Sequence, residues 1–223
     1  MHIENPFEKR ALEDYLKAIY RLEEVFGTVR TNDIAQELGV SPSTVSKTLR
    51  KLAKDGYIIW DPYIGVKLSD KGRDMALTIV RKHRIAETFL YRILKFDIVK
   101  AHSYAHAMEH LPEEIFDKLY EFLGKPTRCP HGNPIEPQKF VDIGDKSITL
   151  FEPNTKVIIT RISCSFKRDL MVKLYELGMN IDKEMCILEK GSGYIRILID
   201  GRGVILTTYE ATFIKGVERG RCG

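Results

Sequence analysis

Apolar positions along the first third of the chain recur at intervals of three and four, the period of a helix buried on one face. Between residues 7 and 26, Leu12, Leu16, Ile19, Tyr20 and Val25 share such a face, and Gly27 ends the run. Ile34, Ala35 and Leu38 predict a second, short helix, with Thr31 or Asn32 as its cap and Gly39 as its stop. A third opens at Ser41-Pro42, a cap followed by proline at the first helical position; it turns Val45, Leu49 and Leu52 inward and ends at Gly56. Two capped helices joined by a tight glycine turn predict a helix-turn-helix. The pattern then changes to strands: Tyr57 to Trp60 and Ile64 to Leu68, folded about Asp61-Pro62, predict a hairpin placed as a wing, and Ser69 caps the next helix.

From Asp70 to about Leu94, Ala76, Ile79, Val80, Ala86, Phe89, Leu90 and Ile93 predict one long helix that can link two domains, with Arg81, Lys82 and Arg84 mostly outward. Shorter helices are expected near 99–110 and 113–123, the second closed by Gly124-Lys125-Pro126. The stretch from Cys129 to about Pro153 is rich in Pro, Gly, Asn and Asp and reads as a linker. Beyond it, β-rich runs at 157–159, 185–188, 194–199 and 203–206, with a helical patch from Leu170 to Gly178, predict a small β-barrel. The chain is therefore expected to be mainly α with a smaller β part. Its units are 1–72 for the winged helix-turn-helix, 73–137 for an all-helical domain, 138–152 for a linker and 153–223 for the barrel.

Composition narrows the partners. A formal charge of +4 on 223 residues permits a phosphate backbone as partner without demanding one. The four cysteines, Cys129, Cys164, Cys186 and Cys222, form no C-x-x-C pair, which argues against a zinc ribbon or a secreted disulfide framework and favours a reducing cytoplasm. No apolar run approaches the roughly 18 residues needed to cross a bilayer, and the amino terminus lacks a signal-peptide core, so no membrane association is expected.

Two sets of side chains carry candidate chemistry. The third helix presents Ser41, Ser43, Thr44, Ser46, Lys47 and Arg50. Their small hydroxyls let a helix sit deep in a major groove, and their cations meet phosphates. Tyr63 and Lys67 of the hairpin are weaker candidates for the same partner. The second set is His102, His106, Glu109 and His110, joined by His83 and Glu87. On one helix His106 and His110 stack a turn apart beside Glu109, a place for a divalent ion. His102 and His110 lie about 12 Å apart along a helix axis, too far to share one ion, so two sites are expected. Asp14 can add a carboxylate if the first helix packs beside the histidine helix.

Several stretches together resemble a known family. Glu13-Asp14-Tyr15-Leu16, the helix-turn-helix ending Lys54-Asp55-Gly56, Arg81 to Arg84 with Glu87, His102 to His110, and Gly132-Asn133-Pro134-Ile135 are similar to the metal-dependent repressors of the diphtheria-toxin-repressor (iron-dependent repressor) family. The likeness covers residues 7–137 well. It extends more weakly, through Leu177-Gly178-Met179, to that family's SH3-like (FeoA-like) third domain. The resemblance implies a primary, regulatory metal site from Asp14, His106, Glu109 and His110, and an ancillary one from His83, Glu87 and His102. It also implies a homodimer on a palindromic double-stranded DNA operator, with Fe²⁺, slightly favoured over Mn²⁺, as corepressor in the control of metal-homeostasis genes. This chain departs from the family at Lys17, where manganese-type members carry a further carboxylate. It departs again at Lys167 and Leu170, where some members send third-domain ligands to the ancillary site. Cys129-Pro-His131 offers two potential ligands, too few for a site of its own.

The mechanism expected from these readings is an ion that joins the first helix to the histidine segment and so selects one arrangement of the DNA-reading unit. Apolar faces within 86–123 are the expected dimer contact. A metalloenzyme is disfavoured because the sequence has no H-E-x-x-H and no evident nucleophile near the histidines. The remaining alternative is a winged-helix regulator that senses a small ligand or a redox change, its histidines being structural.

Overall fold

The computed structural model describes residues 6–139, 141–163 and 167–223. Cys164 lies outside the described residues. Helices α1 (Pro6–Phe26), α2 (Thr31–Leu38) and α3 (Pro42–Lys54) are followed by the hairpin β1 (Ile58–Asp61) and β2 (Gly65–Leu68). The Ser41 hydroxyl accepts from the Thr44 N–H at 3.1 Å, the cap expected from Ser-Pro. Thr31 is not the cap of α2 but its first residue. Arg30 takes the cap position, and its N–H donates to the Asp33 carboxylate at 3.1 Å. Leu16, Ile19, Ile34, Val45, Leu49 and Val66 fill the core of this unit. Gly65 at φ 132° lets the wing run against the Thr28–Val29 backbone, where a Cβ would meet the Val29 carbonyl.

Helix α4 (Asp70–Arg92) belongs to two cores at once. Ala76 and Val80 pack into the winged unit; Ile85, Ala86 and Leu90 pack with Ala101, Ala105 and Phe116 of α5 (Ile98–Met108) and α6 (Glu113–Phe122). Two of its cations, Lys82 and Arg84, are not outward as the pattern predicts, and Arg81 is half-buried. Lys82 is buried with Nζ donating to the Leu111 carbonyl at 2.7 Å. Arg84 is buried between the Glu24 carboxylate of α1, at 2.8 Å, and the Pro134 carbonyl, at 2.6 Å. A purely apolar periodicity test misses such side chains because their stems bury while their ends find partners.

Part of the expected linker is packed structure. Cys129, His131 and Ile135 are buried, the Cys129 N–H donates to the Asn133 carbonyl at 2.9 Å, and Gly132 passes so close to the Thr160 carbonyl that a Cβ would collide with it. Further on, Ile148 and Phe151 join the core of the third unit. That unit is one antiparallel sheet of six strands in the order β3-β8-β4-β5-β6-β7: β3 (Lys146–Ser147), β4 (Thr155–Ile162), β5 (Glu184–Gly191), β6 (Tyr194–Ile199), β7 (Arg202–Thr207) and β8 (Ile214–Arg221). Helices α7 (Arg168–Glu176) and α8 (Thr208–Thr212) lie against it. Ile195, Ile197 and Ile199 alternate inward with exposed Arg196 and Leu198, the period of a half-buried strand. The sheet is SH3-like but open, since its edges β3 and β7 do not pair among the described residues. Contrary to the expectation from cysteine spacing, Cys186 and Cys222 form a disulfide with their Cα atoms 5.8 Å apart. Cys186 lies in β5 and Cys222 directly after β8, the two strands that flank β4.

The third unit docks on both others. Phe26 of α1 sits edge-on to Phe213 at 5.6 Å, Lys167 Nζ donates to Gln36 of α2 at 2.7 Å, and Met171 of α7 lies 3.2 Å from His131 Nε2.

Candidate metal centre and nucleic-acid interface

Three elements converge on the histidines. Helix α4 places His83 and Glu87 a turn apart, and α5 does the same for His102 and His106. Glu109 caps the end of α5, with His110 in the turn behind it, so His106 and His110 do not stack on one continuous helix as the spacing predicts. Helix α1 lies alongside and brings Glu13, Asp14 and Lys17, which meets the packing condition set by the sequence for Asp14.

The potential ligands fall into three groups, each with atoms within 4.8 Å of one another: Asp14, Glu109 and His110; His83, His102 and His106; Glu87, Cys129 and His131. This differs from the division implied by resemblance. His106 faces His102, Nε2 to Nε2 at 3.0 Å, while its Nδ1 stays 3.6 Å from Glu109, so it borders both of the first two groups. Glu87 touches His102 at 2.7 Å and also His131 at 3.0 Å. Cys129 and His131 thus gain the third partner that local sequence could not supply. Lys167 points to α2, and Leu170 packs on the sheet core; Met171 of the third domain reaches this centre.

A continuous buried path joins these groups. Lys17 Nζ donates to Glu109, whose other oxygen is 2.6 Å from His83 Nδ1; His83 Nε2 is 3.0 Å from His102, which reaches Glu87 and then His131. Burial favours the neutral form of a carboxyl, yet contacts with His106, His83 and Lys17 hold Glu109 far below the usual carboxylate range. Glu87 is likewise held low, its burial outweighed by His131, His102 and His83. Burial pushes His102 well down and His106 down to about 3, against the opposing pull of Glu87 and Glu109 respectively. Burial raises Asp14, against Lys17 and His110, and pushes the Cys129 thiol up, with the Glu87 charge adding to the effect.

Ionised carboxylates beside neutral imidazoles are the donor set a divalent cation requires. Two further observations fit an ion here. His131 Nδ1 is buried and makes no hydrogen bond, although Glu87 is 3.0 Å away, and a cavity of about 20 Å³ lies among Glu87, Cys129 and His131. Glu13, not singled out by the sequence as a site residue, holds His110 Nδ1 at 2.8 Å and turns Nε2 toward Asp14, 3.5 Å away. Such a carboxylate–imidazole contact orients a ligand.

In the winged unit, Ser43, Thr44, Lys47 and Arg50 of α3 are exposed along one face that continues to Lys51 and Lys54. Ser46 is half-buried, and the Ser41 hydroxyl is occupied by the cap and by Ser43 and Thr44 at 2.8 and 2.9 Å. At the wing tip Tyr63 is 98% exposed, beyond what hairpin packing requires. Tyr91, Tyr104, Ile115 and Phe122 on α4 to α6, with Leu94 in the turn after α4, are exposed apolar residues within the segment expected to pair two chains.

A helix-turn-helix with a wing, coupled through α1 to a buried cluster of metal-type ligands, defines a metal-responsive DNA-binding regulator. Residues 9–66 match the iron dependent repressor N-terminal DNA binding domain, and residues 69–137 the iron dependent repressor metal binding and dimerisation domain. The chain belongs to the iron-dependent repressor family of dimeric, metal-dependent transcriptional repressors. It is 32% identical over 211 residues to the diphtheria toxin repressor of Corynebacterium efficiens, covering 91% of this chain and 89% of that one. Against MntR of Bacillus velezensis it is 40% identical over 100 residues, 45% of this chain and 70% of the other. Among solved structures, IdeR of T. acidophilum superposes with TM-score 0.82 at 30% identity over 93% of this chain and 97% of that one. A manganese-dependent transcriptional repressor in complex with manganese gives 0.81 at 30% identity over 93% and 100%.

Proposed function

We propose that Asp14, Glu109 and His110, with His106 at their edge, form the regulatory metal site, and that Glu87, Cys129 and His131, beside His83 and His102, form a second one. The observation that carries this reading is the convergence of Asp14, on a helix of the winged core, with Glu109 and His110 at the end of α5. Asp14, Glu109 and His110 would hold a divalent ion, which would supply two positive charges to balance their carboxylates. The protein's own residues do the rest: Glu13 orients His110, His83 orients Glu109, and Arg84 pins α4 to α1 through Glu24. Shifting a DNA-reading unit from mostly incompetent to mostly competent takes about 3 to 5 kcal/mol of differential binding, within reach of three or four ligands.

Fe²⁺ is the proposed corepressor ahead of Mn²⁺, supported by the Cys129 sulfur, since thiolate ligands prefer ions softer than Mn²⁺. Ser43, Thr44, Lys47 and Arg50 read the major groove, Ser41 serves chiefly as the cap, and Ser46 supports the helix from its half-buried side. A two-fold dimer places its two α3 helices on half-sites about 34 Å apart, which calls for a palindromic operator. The protein acts as a regulator and not as an enzyme, in the cytoplasm, where its DNA lies; no helix is long and apolar enough to cross a membrane among the described residues.

The test starts from duplexes selected out of a random pool by the Fe²⁺-loaded protein. Asp14→Ala should fold and dimerise like the parent but lose metal-stimulated binding to them in fluorescence anisotropy. Unchanged metal dependence refutes the bridge.

A further inference from the structure

Lys17 is 3% exposed, one turn beyond Asp14 on α1, and its ammonium sits inside the proposed regulatory site. It donates to Glu109 Oε1, lies 3.1 Å from His106 Nδ1, and is 3.7 Å from Asp14 Oδ1. Each of these atoms belongs to a residue assigned above to the ion. The chain thus places a cation of its own among these donor atoms. An ammonium and a divalent ion repel, and the three donor residues cannot serve both at full strength.

The displaced ammonium has somewhere to go. Lys17 also lines a cavity of about 400 Å³ bounded by α1, α2, α5 and α7, together with Asp14, Arg21, Glu37 and His106. Glu37, on α2 of the helix-turn-helix, has an Oε2 that is buried with no hydrogen-bond partner among the described residues. Burial pushes its carboxyl up to about 7, against the charges of Arg21, Lys17 and Lys167. The lysine stem has four flexible carbons, so its nitrogen can swing without moving α1.

We propose that Lys17 is an internal counter-cation: it neutralises Glu109 while the site holds no metal, and swings to Glu37 when a divalent ion takes its place. Metal occupancy is thereby read out on α2 as well as on α1, and the affinity for any ion is set against a built-in competitor. The inference rests on the assignment of Asp14, Glu109 and His110 as ligands.

The test is calorimetric titration of the metal-free full-length protein with Co²⁺. Lys17→Met should bind at least tenfold more tightly than the parent and unfold at a lower temperature without metal, while Lys17→Arg should stay within threefold of the parent. Glu37→Gln should bind at least threefold more weakly, and this penalty should vanish in the Lys17→Met background. If Lys17→Met fails to fold, Lys17→Gln carries the same expectations. Parent-like or weaker binding by the neutral variant, or an equal Glu37→Gln penalty with and without Lys17, overturns the proposal. Parent-like binding by Asp14→Ala would instead remove the ligand assignment itself, and the counter-cation with it.

Discussion

Glu109→Gln is the substitution whose effect follows most directly from the buried path. The Glu109 side chain is fully buried and bonded on one side to Lys17 and on the other to His83 at 2.6 Å. Removing its charge leaves the Lys17 ammonium in the interior with His106 Nδ1 at 3.1 Å and Asp14 at 3.7 Å. Breaking one side of a buried ion pair costs about 3 to 5 kcal/mol, because the survivor keeps its desolvation penalty. Asp14 remains near enough to place the expected loss at about 3 kcal/mol. For a chain of this size that is a fall of about 6 to 12 °C in the metal-free unfolding midpoint, measured by calorimetry in chelator. Adding Lys17→Met removes the stranded charge, and the double variant should recover at least half of the loss. A double variant that melts no higher than Glu109→Gln alone refutes the account, since the destabilisation would then come from the carboxylate's contacts with His83 and not from the lysine.

Lys47→Ala should weaken DNA binding across all sequences and flatten its salt dependence by about one counterion, with Co²⁺ stoichiometry unchanged; altered metal binding would take Lys47 off the reading face. For Glu37, the folded carboxyl at about 7 lies above its ordinary value, so its contribution to stability is full below pH 4.5 and is lost as pH rises through 7. Urea titration of the metal-free protein should find Glu37→Gln more favourable, relative to the parent, at pH 8 than at pH 5; an equal difference at the two pH values contradicts this.

Local signals in the sequence carried well where one segment decides its own structure. Ser41-Pro42 starts α3, Ser69 starts α4, and the strand pattern around Asp61-Pro62 gives the wing, because caps and turns are settled within four residues. Thr31 misled because a hydroxyl at the first helical position resembles a cap by composition alone. The site was legible as a set of residues and not as a partition. Glu87 meets His131 across 44 positions and Glu109 meets Lys17 across 92, distances over which spacing rules carry nothing. Arg84 and Lys82 looked like solvent-facing charges because periodicity counts a residue's type and not the partner its tip finds. The Cys186–Cys222 bond was hidden for a related reason: their strands flank β4, and only the sheet order brings them together.

Helix α4 has 23 residues, so it is a rod about 35 Å long whose two ends are embedded in different cores. Its stiffness gives the molecule angular gain. A tilt of about 5° at the histidine end displaces the far end by about 3 Å, several times the few tenths of an ångström that a hydrogen bond to a base edge tolerates. Small adjustments among imidazoles and carboxylates therefore suffice to bring a recognition surface into or out of alignment, with no loop rearrangement and no unfolding.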